Sequence, residues 1–187
     1  MSVLVTIDHP WTGSFNYAIL RAVLRGLESA GHSVDLLDLQ AENFNPVLST
    51  AELEVYHAGK YLDPKIGEYQ RRVVAAEHLV FIFPVWWEVM PARLKGWFDR
   101  VFLPEWAFAE ADASPLLTHI RTGTAITTMG APKAVHTSVE AALLKGTLEM
   151  VGVQRTRWLN ICGVGVVSDE ARREFLRQVE EYCQGLE

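Results

Sequence analysis

HLVFIFPVWWEVMPARLKGWFDRVF, residues 78–102, opens with a run, HLVFIF, that is apolar almost throughout instead of alternating. A strand with one wet face alternates, whereas a strand covered on both faces does not. The run therefore reads as a central strand of a parallel sheet enclosed by helices. Two adjacent tryptophans follow between Pro84 and Pro91, where neither a helix nor a strand runs easily and where a loop is normally polar. Beyond Pro91, Leu94, Trp97, Phe98, Val101 and Phe102 recur at helical spacing, and Arg93, Lys95, Asp99 and Arg100 fall on the other side.

Working outward, the chain keeps alternating short apolar runs with stretches of helical period. VLVTI (3–7) is a strand, followed by an amphipathic helix over 14–30 that places Leu20, Val23, Leu24 and Leu27 on one face and stops at Gly31. SVDLLDL (33–39) is the second strand. In the connection after it, Ser49 and Glu52 have capping-box spacing, and Asp63 with Pro64 reads as the N-cap and first turn of a helix reaching Glu77. TAITTM (124–129) is a fourth strand, 136–152 a helix, RTRWLNICGV (155–164) a fifth strand, and Ser168 caps a closing helix. The expectation is an α/β fold: a doubly wound, five-stranded parallel sheet of flavodoxin-like order 2-1-3-4-5, in one domain spanning 1–187.

With 187 residues, 49% hydrophobic and 21% charged, the chain is large enough for a proper core. A formal net charge of −6 offers no basic field for nucleic acid or an anionic membrane. Cys162 and Cys183 form no C-x-x-C pair, MSVLVTIDHP lacks the features of a signal peptide, and no run approaches the roughly 18 apolar residues of a membrane helix. A reduced, cytoplasmic protein without membrane insertion is expected. Neither H-E-x-x-H nor G-x-S-x-G occurs, so no metal is expected and no serine-hydrolase chemistry. His32 and His78 read as surface or turn residues.

Ligands of such sheets sit at the carboxyl ends of the strands, beside the switch point between strands one and three. The loop DHPWTGSFN (8–16) leaves strand one there, and from Pro10 to Arg25 there is no acidic residue. The positive end of the first helix is therefore free to take a phosphate; the plainer alternative is that Ser14 only caps the helix. ITTMGAP (126–132) leaves strand four with small and hydroxyl residues that let a flat ligand approach. GVGVVSDE (163–170) carries acids in its first helical turn and reads as an ordinary turn and cap. Of Trp86 and Trp87, neighbours in an extended loop, one is expected to fill the core and the other to wall a ligand. Trp106 and Phe108 either join the core or widen that wall.

These segments together resemble a known family. HPWTGSFN, LDLQAENFNPVLSTAEL, FPVWWEVMPARLKGWFDRVF with the following WAF, and ITTMGAP are similar to the corresponding segments of the flavodoxin-fold NAD(P)H:quinone oxidoreductases. The resemblance implies a homodimeric enzyme that holds FMN or FAD and passes two electrons in ping-pong fashion from NAD(P)H through the flavin to a quinone. It assigns His9, Ser14, Phe15 and Asn16 to the phosphate and its surroundings, Pro84, Val85, Trp86 and Trp87 to one border of the ring with backbone N–H groups facing it, and Thr127, Thr128, Met129 and Gly130 to the other. The dimer contact would include residues 40–62, with Phe44, Pro46, Val47, Leu48, Tyr56 and Tyr61 as an exposed apolar connection. In TTMGAPKAVHTS, Val135 stands where the family carries a catalytic Tyr; Lys133 or His136 substitutes for it, or both are plain loop and helix-entry residues. Glu105 replaces a common glycine. Some members dock on potassium efflux transporters as regulatory subunits, which is the alternative reading; a flavodoxin-type carrier ranks last, because the first loop lacks T-x-T-G-x-T.

Overall fold

The computed structural model describes residues 1–131 and 138–187. Five strands, β1 (Ser2–Ile7), β2 (Ser33–Asp38), β3 (His78–Pro84), β4 (Thr122–Thr128) and β5 (Arg155–Ile161), form an all-parallel sheet in the order β2-β1-β3-β4-β5. Helices α1 (Phe15–Ser29) and α5 (Asp169–Gln184) cover one face; α3 (Pro64–Ala75), α4 (Ala92–Val101) and a π-helix (Val139–Glu149) cover the other, with the short α2 (Thr50–Tyr56) in the connection after β2. The fold class and strand order are those expected. No helix among the described residues is long and apolar enough to cross a membrane.

β3 shows why its sequence does not alternate. Leu79, Phe81 and Phe83 enter the core under α3 and α4, Val80 and Ile82 enter the core under α1, and every residue of the strand is buried. On α4, Trp97 is fully buried and packs edge-on against Phe98 and Tyr69. Gly96 lets the connection after β2 cross this helix closely: a Cβ there would lie 2.2 Å from the Pro46 carbonyl oxygen. Local capping follows the sequence, with a full capping box between Ser49 and Glu52 and with Asp63 and Ser168 capping α3 and α5.

Several expectations are corrected. Arg100, on the supposedly wet side of α4, is only 6% exposed. It donates to the Glu52 carboxylate, to the Asn45 carbonyl at 2.7 Å and to Asp63 at 3.2 Å. Phe44 is not part of an exposed connection but a core residue, packed edge-on on Tyr69 and beneath the Arg100 guanidinium. Trp106 and Phe108 pack against the core, Trp106 on Phe102. β4 starts at Thr122 and β5 stops at Ile161, and the helix expected over 136–152 is a π-helix over Val139–Glu149. Its buried residues Val139, Leu143, Leu144 and Leu148 fan out around an α-helix but gather on one side of the wider i→i+5 ladder. Glu105, standing where the resemblance expects glycine, adopts φ 58° in the left-handed region.

His78 is also corrected from the surface to the interior. It is fully buried at the start of β3, its Nδ1 lies 2.7 Å from Thr122 Oγ1, and its Nε2 has no partner. Burial, helped by the Arg121 charge, pushes its pKa down to about 4. The unfolded chain, with His near 6.5, then binds the extra proton between the two values, so stability is complete above about pH 6.5 and falls as pH drops toward 4. Between about pH 7.5 and about pH 5 this group alone should remove about 2 kcal/mol. Urea midpoints across that window should shift for the wild type and shift less for His78→Gln; equal shifts would remove His78 as the cause.

Candidate active site

The carboxyl ends of β1, β3 and β4 open into a cavity of about 670 Å³, lined by His9, Trp11, Ser14, Phe15, Asn16, Pro84, Val85, Trp86, Trp87, Thr128, Gly130 and Val164. Most of the residues assigned by resemblance therefore share one cavity. Thr127 and Met129 do not line it. Thr127 Oγ1 is turned to β5, donating to Asn160 Oδ1 and accepting from Trp158 Nε1, and Met129 is buried. Lys133 and His136 lie outside the described residues.

Helix α1 begins at the cavity. Its N-cap Ser14 makes no side-chain capping bond and its first turn carries no acid. Tyr17 N–H bonds back to the Ser14 carbonyl at 3.1 Å, whereas Phe15 and Asn16 N–H, at the first two helical positions, have no acceptor within the helix. Ser14 Oγ and Asn16 Oδ1 are buried without a partner, while Asn16 Nδ2 donates to Thr128 Oγ1 at 3.1 Å, tying the helix to β4. The unpartnered Ser14 hydroxyl, the free N–H groups at the start of the helix and its uncompensated positive end fit a phosphate better than a plain cap, whereas Asn16 Oδ1, an acceptor, contributes nothing to it. His9 sits beside them, its ring 6.1 Å from that of Trp86; burial holds its pKa below the ordinary histidine value.

The tryptophan loop is a tight hairpin. Trp86 N–H donates to the Val89 carbonyl at 3.0 Å and Val89 N–H returns a bond to Trp86 at 3.1 Å. The two residues at the tip, Trp87 (φ 49°) and Glu88 (φ 70°), are both left-handed, as a type I′ turn requires and as Asn-Gly would supply without strain. Left-handed backbone costs roughly 1–2 kcal/mol per non-glycine residue, and such strain is held where the surrounding structure fixes it, commonly at ligand sites. Ser138, before the π-helix, donates to the Glu88 carbonyl and helps fix the turn. The expected division of labour is overturned: Trp86 is 46% and Trp87 98% exposed, so neither fills the core. The expectation that this loop offers its backbone to a ring is also narrowed, because the Val85 and Trp86 N–H groups are bonded to Thr128 and Val89.

Three contributors escaped the sequence reading. Trp11 and Val164 line the cavity, the latter from the segment dismissed as an ordinary turn. Asp8, 4% exposed, accepts from Leu94 N–H at 2.9 Å and so caps α4 from another strand, replacing the cap that Pro91 cannot provide. Burial raises its pKa against the lowering effect of that bond. By anchoring the start of α4, Asp8 fixes the end of the tryptophan loop to the end of β1.

The arrangement has known relatives. A guinea pig (Cavia porcellus) NAD(P)H dehydrogenase (quinone) 1 is 30% identical over 92% of this chain and 72% of that protein. The structure of an NAD(P)H:quinone oxidoreductase from Methanothermobacter marburgensis superposes with a TM-score of 0.90 at 28% identity, over 98% of this chain and 96% of that one. At 17% identity the fold extends to an FMN-dependent NADH-azoreductase from Bacillus anthracis crystallised with FMN, with a TM-score of 0.78 over 98% of each chain. The model of the family described as having a flavodoxin-like fold matches residues 1–184, and the chain belongs to that family.

Proposed function

We propose that the chain is a flavin-dependent NAD(P)H:quinone oxidoreductase. One observation carries the reading: the uncompensated N-terminus of α1, with the Ser14 hydroxyl unpartnered, and the aromatic hairpin of Trp86 and Trp87 face the same cavity. That pairing suits a ligand with a phosphate at one end and a flat ring at the other. When bound, the flavin supplies the relay of two electrons from the nicotinamide to the quinone. The Ser14 hydroxyl and the backbone N–H groups of Phe15 and Asn16 hold the phosphate. Trp86 and Trp87 border the ring and exclude water from its edge, which strengthens electrostatic interactions there. Asp8 and Ser138 keep the hairpin in register with β1 and the π-helix. Lys133 and His136 are candidates to offset negative charge on the reduced ring.

A homodimer belongs to the same proposal: Val47, Leu53 and Leu62 expose apolar surface along the connection after β2. The first two relatives named above are quinone oxidoreductases, which favours the enzyme over the transporter-subunit reading. The test is steady-state oxidation of NADH and NADPH with a benzoquinone acceptor and added FMN or FAD. Parallel double-reciprocal lines at varied quinone are expected, as ping-pong exchange at one site requires. Absence of quinone-dependent oxidation with either nucleotide and either flavin would overturn the assignment.

A further inference from the structure

The geometry points to Trp11 as a platform for an adenine ring joined through phosphate to whatever occupies the cavity, an inference that rests on the flavin reading above. Trp11 is 67% exposed, yet its indole is not loose. It lies against the backbone at Gly13 so closely that a Cβ there would sit 2.5 Å from its Cε2 and Cζ2 and 2.8 Å from its Nε1. The turn beneath it is closed by Ser14 N–H donating to the Trp11 carbonyl at 3.1 Å, and Trp11 N–H lies 3.1 Å from His9 Nδ1. One face of the indole thus rests on glycine while most of the side chain stays open to solvent. A pre-ordered aromatic surface of this kind suits stacking on a base.

Its place in the cavity identifies the class of ring. Trp11 is three residues before Ser14, on the loop that delivers the phosphate-ready end of α1, whereas the hairpin of Trp86 and Trp87 comes from β3. The phosphate cradle therefore has an aromatic surface contributed from each loop. A ligand with one ring and one phosphate uses only one of them; an adenine dinucleotide uses both. The stretch from Pro10 to Arg25 has no acid to repel the additional phosphate. Adenine reaches this site from two sources, FAD itself or the nicotinamide co-substrate.

The test titrates FMN and FAD into wild type, Trp11→Ala, Trp11→Phe and Gly13→Ala, following flavin fluorescence, and measures KM for NADH and for reduced nicotinamide mononucleotide. If the adenine comes from FAD, Trp11→Ala weakens FAD about tenfold and spares FMN, Trp11→Phe restores most of the difference, and Gly13→Ala, which displaces the indole, follows Trp11→Ala. If it comes from the co-substrate, both flavin affinities hold while KM rises about tenfold for NADH and not for the mononucleotide. Equal effects on FMN and FAD with no KM difference between the two donors would overturn the adenine platform and leave the flavin assignment standing. Failure of both flavins to bind wild type would instead strike the flavin assignment itself, and the platform with it.

Discussion

Arg100→Ala is expected to destabilise the protein by about 3–5 kcal/mol, the loss typical of removing one member of a buried ion pair. For a chain of this size that lowers the melting temperature by about 10 °C or more. The size follows from what is left behind. Glu52 is 9% exposed, and its carboxylate accepts from Ser49 N–H at 2.9 Å and Ser49 Oγ at 2.8 Å while also receiving Arg100 Nε at 3.0 Å. Without the guanidinium, a buried carboxylate keeps its capping role but loses its countercharge, and the Asn45 carbonyl loses its donor. Arg100 also covers the Phe44 ring at 5.3 Å, so the connection after β2 loses packing as well. Combining Arg100→Leu with Glu52→Gln, which keeps the capping box and removes both charges, should cost less than Arg100→Ala alone. Chemical denaturation of the three proteins decides the matter; a loss below about 0.5 kcal/mol for Arg100→Ala, as for a surface side chain, would contradict it.

Ser14→Asp is expected to move stability and ligand affinity in opposite directions. Aspartate is a strong N-cap and its charge complements the positive end of α1, so the melting temperature should hold or rise. The same carboxylate would face a phosphate across a half-buried cavity. Like charges about 4 Å apart at an effective dielectric near 20 repel by about 4 kcal/mol, so flavin affinity should fall by about 100-fold or more. Ser14→Ala, which removes only the orphaned hydroxyl, should cost much less affinity. If Ser14 were only a cap, Ser14→Asp would raise stability and leave affinity unchanged. Differential scanning fluorimetry and flavin titration on the same samples separate the two.

What was legible in the sequence was local or periodic. The unbroken apolar run of β3 announced a strand buried on both faces, and the caps at Ser49, Asp63 and Ser168 lie within three residues of the N–H groups they serve. The phosphate-ready start of α1 was legible from the missing acids. Partners distant in sequence were not. Arg100 looks solvent-facing on its own helix and becomes buried because Glu52 and Asp63 come from elsewhere to meet it. Asp8 gives no sign of capping α4 until β1 and β3 pair and bring Leu94 to it. The left-handed turn at Trp87 and Glu88 carries neither Asn nor Gly, so no turn signal marked it. An alternating reading of an extended loop then sent one tryptophan inward, where the hairpin turns both outward.

The structure of crystals soaked in FMN would show most directly whether the cavity between α1 and the tryptophan hairpin is a flavin site. The phosphate is expected within hydrogen-bond distance of Ser14 Oγ and the first-turn N–H groups of α1, with the ring bordered by Trp86 and by Thr128 and Gly130. Flavin density in the apolar cavity between α4 and the π-helix, beside Phe98, Phe102 and Met150, with none at the end of α1, would contradict the assignment.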